Sequence, residues 1–241
     1  MAAPMPALWL SIFAGVWLAW AALIRLLEQN PRGDALTGLF YYANRLYCKY
    51  FHRLAATGTQ HLPASAHPGA LIVVCNHTAG VDPLLVQAVA PFEVRWMMGA
   101  DMMTPRLGAF WRWARIIAVN RLGRDLGGTR EALRHLADDG VLGVFPEGGL
   151  ERPAGRLRPF HSGVGFLVAR TGAPVLPIWI SGTPRVAHAW DSLWRRGHAK
   201  LVIGPVMRFA TDTPPDAIVA ELQSWFERTS GWATGPVEHA A

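Results

Sequence analysis

Charge is scarce in this sequence. Asp, Glu, Lys and Arg make up 17% of the 241 residues, against 51% for the apolar types, which is low for a freely soluble domain. The deficit is uneven: no charged side chain occurs before Arg25. Cysteine is nearly missing too, with Cys48 and Cys75 alone. Their spacing reads neither as a metal site nor as a disulfide framework, and they suit buried positions in a reducing compartment. No Gly-x-Ser-x-Gly elbow is present, which argues against a soluble hydrolase built on one. Lys and Arg are dispersed, and no nucleic-acid module is recognisable. The net charge of +6 therefore points to a membrane surface or acidic substrates, with no nucleic-acid partner.

The charge-free start continues as an apolar run from Met5 to Leu27, with Trp9, Trp17 and Trp20, interrupted by Pro6, Ser11, Gly15 and Arg25. It is long enough to cross a hydrocarbon core of about 30 Å. A secretory signal would carry a basic n-region and a shorter apolar core; here the basic residues follow the run. The expectation is a membrane anchor, with a buried core helix as the alternative. Arg25, Arg32, Arg45, Lys49 and Arg53 place its C-terminal side in the cytoplasm, so the chain is expected on the cytoplasmic face of the inner (plasma) membrane. Asn30-Pro31-Arg32-Gly33 is a turn signal. Beyond it, Leu36, Phe40, Ala43, Tyr47, Tyr50 and Leu54 step by three or four and form one helix face. That pattern fits a helix lying at the membrane interface and equally one packed on the domain. Residues 1–55 are expected to form a membrane-binding helical hairpin.

From there to residue 232 short apolar runs alternate with helical patterns. Strands are expected at Ala70–Cys75, Glu93–Met98, Ile116–Asn120, Val141–Phe145, Val175–Ser181 and Lys200–Gly204. Helices are expected at Asp82–Val89, Pro105–Trp113, Leu126–Asp138, Ser162–Thr171 and Pro215–Ser230. The alternation predicts an α/β domain, with a largely parallel central sheet flanked by helices and ligands at the carboxyl ends of its strands. Residues 233–241 are expected to be a disordered tail.

Two stretches carry candidate chemistry. In Asn76-His77-Thr78-Ala79-Gly80-Val81-Asp82 a histidine ends a strand and a carboxylate opens the next helix. Neutral imidazole can take a proton from a hydroxyl, and a carboxylate on its other nitrogen fixes the tautomer. The turn needed to bring Asp82 back to His77 is eased by Gly80. Asp82 could equally be a helix cap. In Phe145-Pro146-Glu147-Gly148-Gly149 two glycines admit a ligand close to the backbone, or simply make a tight turn. Glu151, Arg152, Arg156, Arg158 and His161 follow before a helix start, a concentration of arginine suited to phosphate. Arg121 ends a predicted strand, where it can reach a phosphate or be an ordinary surface residue. Pro174 and Pro177 bracket an apolar pair that suits an edge strand or a wall for an apolar ligand.

The order of these signals resembles the glycerolipid acyltransferases, the family of the bacterial 1-acylglycerol-3-phosphate acyltransferase. Asn76-His77 through Asp82, Arg121, Phe145-Pro146-Glu147-Gly148 and Val175–Ile178 carry the resemblance, which covers roughly residues 57 to 205. It implies a fatty acyl donor on coenzyme A or acyl carrier protein, with no bound cofactor and no metal. The acceptor would be a lysolipid, lysophosphatidic acid first, with a lyso-ornithine lipid or lysophospholipid as alternatives. A non-catalytic lipid-binding protein of the same fold is the rival from another class. By resemblance His77 is the general base and Asp82 its orienting partner. Asn76, Arg121, Glu147, Gly148, Gly149, Arg152 and Arg158 are the candidate substrate-binding residues. The family usually reads FPEGTRS where this chain has Gly149, Leu150 and Glu151. In its second motif it usually has Gly and Phe or Leu where this chain has Arg115 and Ala118. Arg152, Arg156 and Arg158 are the residues placed to compensate.

Overall fold

The computed structural model describes residues 5–120, 126–151 and 155–235. Its centre is the strand β2 (Leu71–Cys75), whose five residues are all buried. A run of Leu, Ile and Val with no polar member can only be covered on both faces. Among the described residues six more strands join it: β1 (Ala55–Thr57), β3 (Arg95–Gly99), β4 (Ile117–Val119), β5 (Val141–Val144), β6 (Val175–Ser181) and β7 (Lys200–Ile203). Their order is β1-β7-β6-β2-β5-β3-β4, and every neighbouring pair is parallel except β6 with β7.

Alternation along β2 divides the core into two layers. Leu71, Val73 and Cys75 pack with Leu85 and Val86 of α3 (Asp82–Val89) and with Cys48 of α2 (Ala35–Tyr50). Ile72 and Val74 face the other way, toward α5 (Leu126–Ala137), α6 (Ser162–Thr171) and α7 (Pro215–Ser230). The short α4 (Gly108–Trp113) lies between β3 and β4 in the chain. The α/β sheet expected from the alternation is present, with the N-terminal apolar helix beside it.

That helix, α1 (Met5–Glu28), has none of its membrane-length window buried. Trp9, Trp17 and Trp20 are exposed, so it is not a core helix of this domain. It turns through Asn30, whose amide donates to Leu27 O and Asp34 O, into α2, capped where Asp34 accepts from Thr37 N. The side of α2 that meets α3 is the more polar one. There Asn44 donates to Leu84 O, and Gly38 and Cys48 are buried. Leu36, Leu39, Phe40, Leu46 and Tyr50 point outward and are 50–68% exposed. Of the apolar stripe read from the sequence, Leu36, Phe40, Ala43 and Tyr50 are thus exposed, whereas Leu54 packs on the core and Tyr47 turns in to donate to Leu193 O.

Three expectations need correction. β1 has no apolar run to announce it; it pairs with β7 at the sheet edge. β6 is interior, between β7 and β2, despite its prolines. Pro177 is tolerated there because its carbonyl still accepts from Gly204 N, and its missing N–H falls where β7 has already ended. The tail expected from residue 233 is held as far as 235: Gly235 N donates to Leu157 O, and Thr234 Oγ1 joins Gln223 to Glu227.

Candidate active site

β2 and β5 run side by side in register from Leu71↔Val141 to Val74↔Val144. Their carboxyl ends therefore deliver Asn76-His77 and Phe145–Gly149 to the same place. Asn76, 0% exposed, donates through Nδ2 to Ile180 O and accepts at Oδ1 from Ile180 N. It fastens the end of β2 to β6 as a further backbone pair would.

His77 Nδ1 lies 2.9 Å from Asp82 Oδ2. That oxygen also accepts from Thr78 N at 2.7 Å and Ala79 N at 2.9 Å, and Oδ1 accepts from Thr78 Oγ1 at 3.0 Å. Asp82 is fully buried. Both oxygens of this buried carboxyl are met by donors. An oxygen acceptor at Nδ1 takes the proton there and leaves the lone pair on Nε2. The imidazole is 20% exposed. Its plane is set by Phe145, whose ring stacks 4.0 Å away with an 18° tilt and is itself stacked on Trp96 at 4.8 Å. Thr183 Oγ1 donates to Thr78 Oγ1 at 2.7 Å, extending the chain behind Asp82. No role was foreseen from the sequence for Thr78, Thr183 or Trp96; Thr78 stood inside the first motif without one, and Phe145 in the second as a strand end.

Glu147 is 1% exposed. Its Oε1 accepts from His77 N at 2.9 Å and its Oε2 from Arg158 N at 3.0 Å. Burial pushes its pKa up to about 7, against the pull of the two amides. The carboxyl thus joins the His77 turn to the loop before α6. Glu151 N, donating to His77 O at 2.7 Å, makes a second link.

Gly148 adopts φ +66°. A side chain there would meet His161, its Cβ 2.6 Å from Nε2; a Cβ on Gly149 would lie 2.6 Å from Arg158 Nη1. The glycines are filled over by a histidine and an arginine, so Arg158 occupies space that a threonine at 149 would take. Arg158 Nε is buried without a hydrogen-bond partner among the described residues. Arg121 and Arg152 lie outside the described residues. Arg115, where the family usually has glycine, sits at φ +53°, the backbone region that favours glycine.

Known proteins resemble this chain in sequence and in fold. A model of the family described as Acyltransferase matches residues 53–181, more than half of the chain. A 1-acyl-sn-glycerol-3-phosphate acyltransferase of Limnanthes douglasii is 27% identical over 187 residues. These make up 75% of this chain and 62% of the relative, so the chain spans a little under two thirds of that protein's length. An N-acylphosphatidylethanolamine synthase of Arabidopsis thaliana is 27% identical over 87% of this chain and 81% of its own. The crystal structure of the 1-acyl-sn-glycerophosphate (LPA) acyltransferase PlsC from Thermotoga maritima superposes with a TM-score of 0.67. It covers 91% of this chain and 88% of that one at 21% identity, and shares the fold. With the family model spanning the sheet from just before β1 to the end of β6, the chain belongs to the acyltransferase family.

Proposed function

We propose that the protein transfers a fatty acyl group from an acyl thioester to the free hydroxyl of a lysolipid. The acceptor we assign is 1-acylglycerol-3-phosphate, giving phosphatidic acid. The observation that carries this is the His77–Asp82 pair, with the Nδ1 proton fixed on Asp82 and Nε2 left as a base at the mouth of the sheet. Nε2 takes the hydroxyl proton as the oxygen attacks the thioester carbonyl. The C–S bond breaks, and the imidazolium returns the proton to the departing thiolate of coenzyme A or acyl carrier protein. The carboxylate of Asp82 stabilises the imidazolium between these steps. No acyl-enzyme is needed.

In this reading Asn76 and Glu147 position His77 and do not touch the acceptor, because their polar atoms are taken by backbone groups. The phosphate falls to Arg158, over Gly149, and to Arg121 and Arg152. α1 anchors the chain, α2 lies on the bilayer by its outward face, and the catalytic domain is on the cytoplasmic side. Lysophosphatidic acid would then reach the site from the bilayer.

The test is acyl transfer by the full chain in phospholipid vesicles, from labelled acyl-CoA and from acyl carrier protein. Acceptors are lysophosphatidic acid, lysophosphatidylethanolamine, a lyso-ornithine lipid and phosphatidylethanolamine. The last is included because one relative is named for an N-acylphosphatidylethanolamine product. Lysophosphatidic acid is expected to be the best acceptor. Arg158→Gln should raise KM for it about 10-fold or more, the loss of one charge-assisted phosphate contact, with kcat little changed. An equal KM in the two proteins would remove Arg158 from the phosphate site.

A further inference from the structure

A short 3-10 helix at Ala189–Leu193 packs directly on the catalytic turn. Ser192 Oγ accepts from Val81 N at 3.1 Å and donates to Ala189 O at 2.6 Å. A Cβ on Gly80 would lie 2.5 Å from Ala189 O, so a glycine is required between His77 and Asp82 for this contact. The same segment is tied to α2, where Tyr47 Oη donates to Leu193 O at 2.6 Å. With that proton committed, His52 Nε2 donates to Tyr47 Oη at 2.8 Å, and burial pulls the pKa of His52 below its usual value.

Its outward side is of a different character. Trp194 is 82% exposed, more than any large apolar side chain of α1 among the described residues, and Trp190 is 37% exposed. Arg195 and Arg196, which follow Trp194, are exposed too, as is Arg185. A chain of ring contacts, passing through the buried Trp111, joins Trp190 to the outward face of α2. Trp190 meets Trp111 at 5.7 Å, Trp111 meets Phe110 at 5.1 Å, Phe110 meets Trp113 at 5.7 Å, and Trp113 meets Phe40 of α2 at 4.9 Å. On the other flank Arg196 lies over the ring of Phe51, 5.8 Å from its centroid. Tryptophan, with an apolar body and a polar edge, concentrates where hydrocarbon meets headgroups. Arginines around it draw the surface to anionic lipid.

We propose that the segment carrying Trp190, Trp194, Arg185, Arg195 and Arg196 is a second membrane-contact surface, on the catalytic domain itself, occupied by the interfacial layer of an anionic bilayer. The proposal rests on the membrane-anchored reading above. It adds that the domain is held at two places. Because the second is hydrogen-bonded to Val81, it sets the height of His77 above the headgroups.

The test uses the full chain reconstituted in vesicles of phosphatidylglycerol and phosphatidylcholine. A nitrobenzoxadiazole label is attached through Trp194→Cys, through Trp20→Cys on α1, or through Ser65→Cys in the exposed loop before β2; Cys48 and Cys75 are buried. Quenching is read with phospholipid carrying a nitroxide high on its acyl chain. Labels at 194 and 20 are expected to lose most of their emission, and the label at 65 none. Quenching at 194 should fall when phosphatidylglycerol is replaced by phosphatidylcholine, and in Arg195→Gln/Arg196→Gln. An unquenched label at 194 beside a quenched one at 20 overturns the second surface and leaves the anchor standing. So does an emission at 194 that follows protein concentration instead of lipid, which would make the patch a contact between copies. Labels unquenched at both 194 and 20 overturn the anchored reading as well.

Discussion

Glu147→Ala should lower the stability of the folded protein by about 2–6 kcal/mol, because two buried amides lose their acceptor at about 1–3 kcal/mol each. They are the N–H groups of His77 and Arg158, now bonded to the two carboxylate oxygens at 2.9 and 3.0 Å. A partial offset comes from burial, which raises the pKa of Glu147 from 4.5 to about 7. A carboxyl raised in this way favours the fold fully below its unfolded pKa, and that contribution is lost as pH rises through about 7. The destabilisation should therefore be larger at about pH 6 than at about pH 8. A melt of the detergent-solubilised chain reads it, at about 2–4 °C for each kcal/mol. Glu147→Gln keeps one acceptor and sets an NH₂ against the other amide, so it should fall between the two proteins. If Glu147→Ala melts with the wild type at both pH values, the carboxyl is not the link between the His77 turn and the loop before α6.

Asp82→Asn should cut acyl transfer by about 10²-fold, the lower end of what general-base assistance contributes, with little loss of fold. The reason lies in the donors around the carboxyl. The amide oxygen can take the place of Oδ2 and still accept from His77 Nδ1, Thr78 N and Ala79 N. The NH₂ then faces Thr78 Oγ1, which can turn its own proton toward Thr183. The tautomer of His77 survives; what is lost is the negative charge that stabilises the imidazolium. Asp82→Ala, which strands the same donors in a buried site, should lose both rate and stability. Wild-type kcat in Asp82→Asn would show that the charge plays no part in the reaction.

Where a local rule had one solution, the sequence was enough. Leu71–Cys75 could only be a strand buried on both faces, and Asp82-Pro83 opened α3 at the expected residue. The pairing of β2 with β5, which brings His77 to Glu147, followed from the α/β alternation only as a possibility. Register is a property of the whole sheet. The direction in which Glu147 points was not legible at all. Beside two glycines it reads as a ligand for substrate, whereas its oxygens are consumed by amides 70 and 11 residues away. For α2 the sequence left the interface and the domain equally open: its apolar period is real, and only the fold shows that its other side, through Asn44 and Gly38, meets the protein. Trp194-Arg195-Arg196, in a stretch with no period, gave no signal until the fold set all three at the surface.

The most direct test of the account is His77→Ala. It removes the ring stacked on Phe145 but leaves the backbone N–H that Glu147 holds and the donors to Asp82 from Thr78 and Ala79. Transfer of labelled acyl groups to lysophosphatidic acid in vesicles should fall on the order of 10²–10⁴-fold in a variant whose melting temperature stays close to that of the wild type. A folded His77→Ala that transfers acyl groups as fast as the wild type would contradict the assignment of His77 as the base.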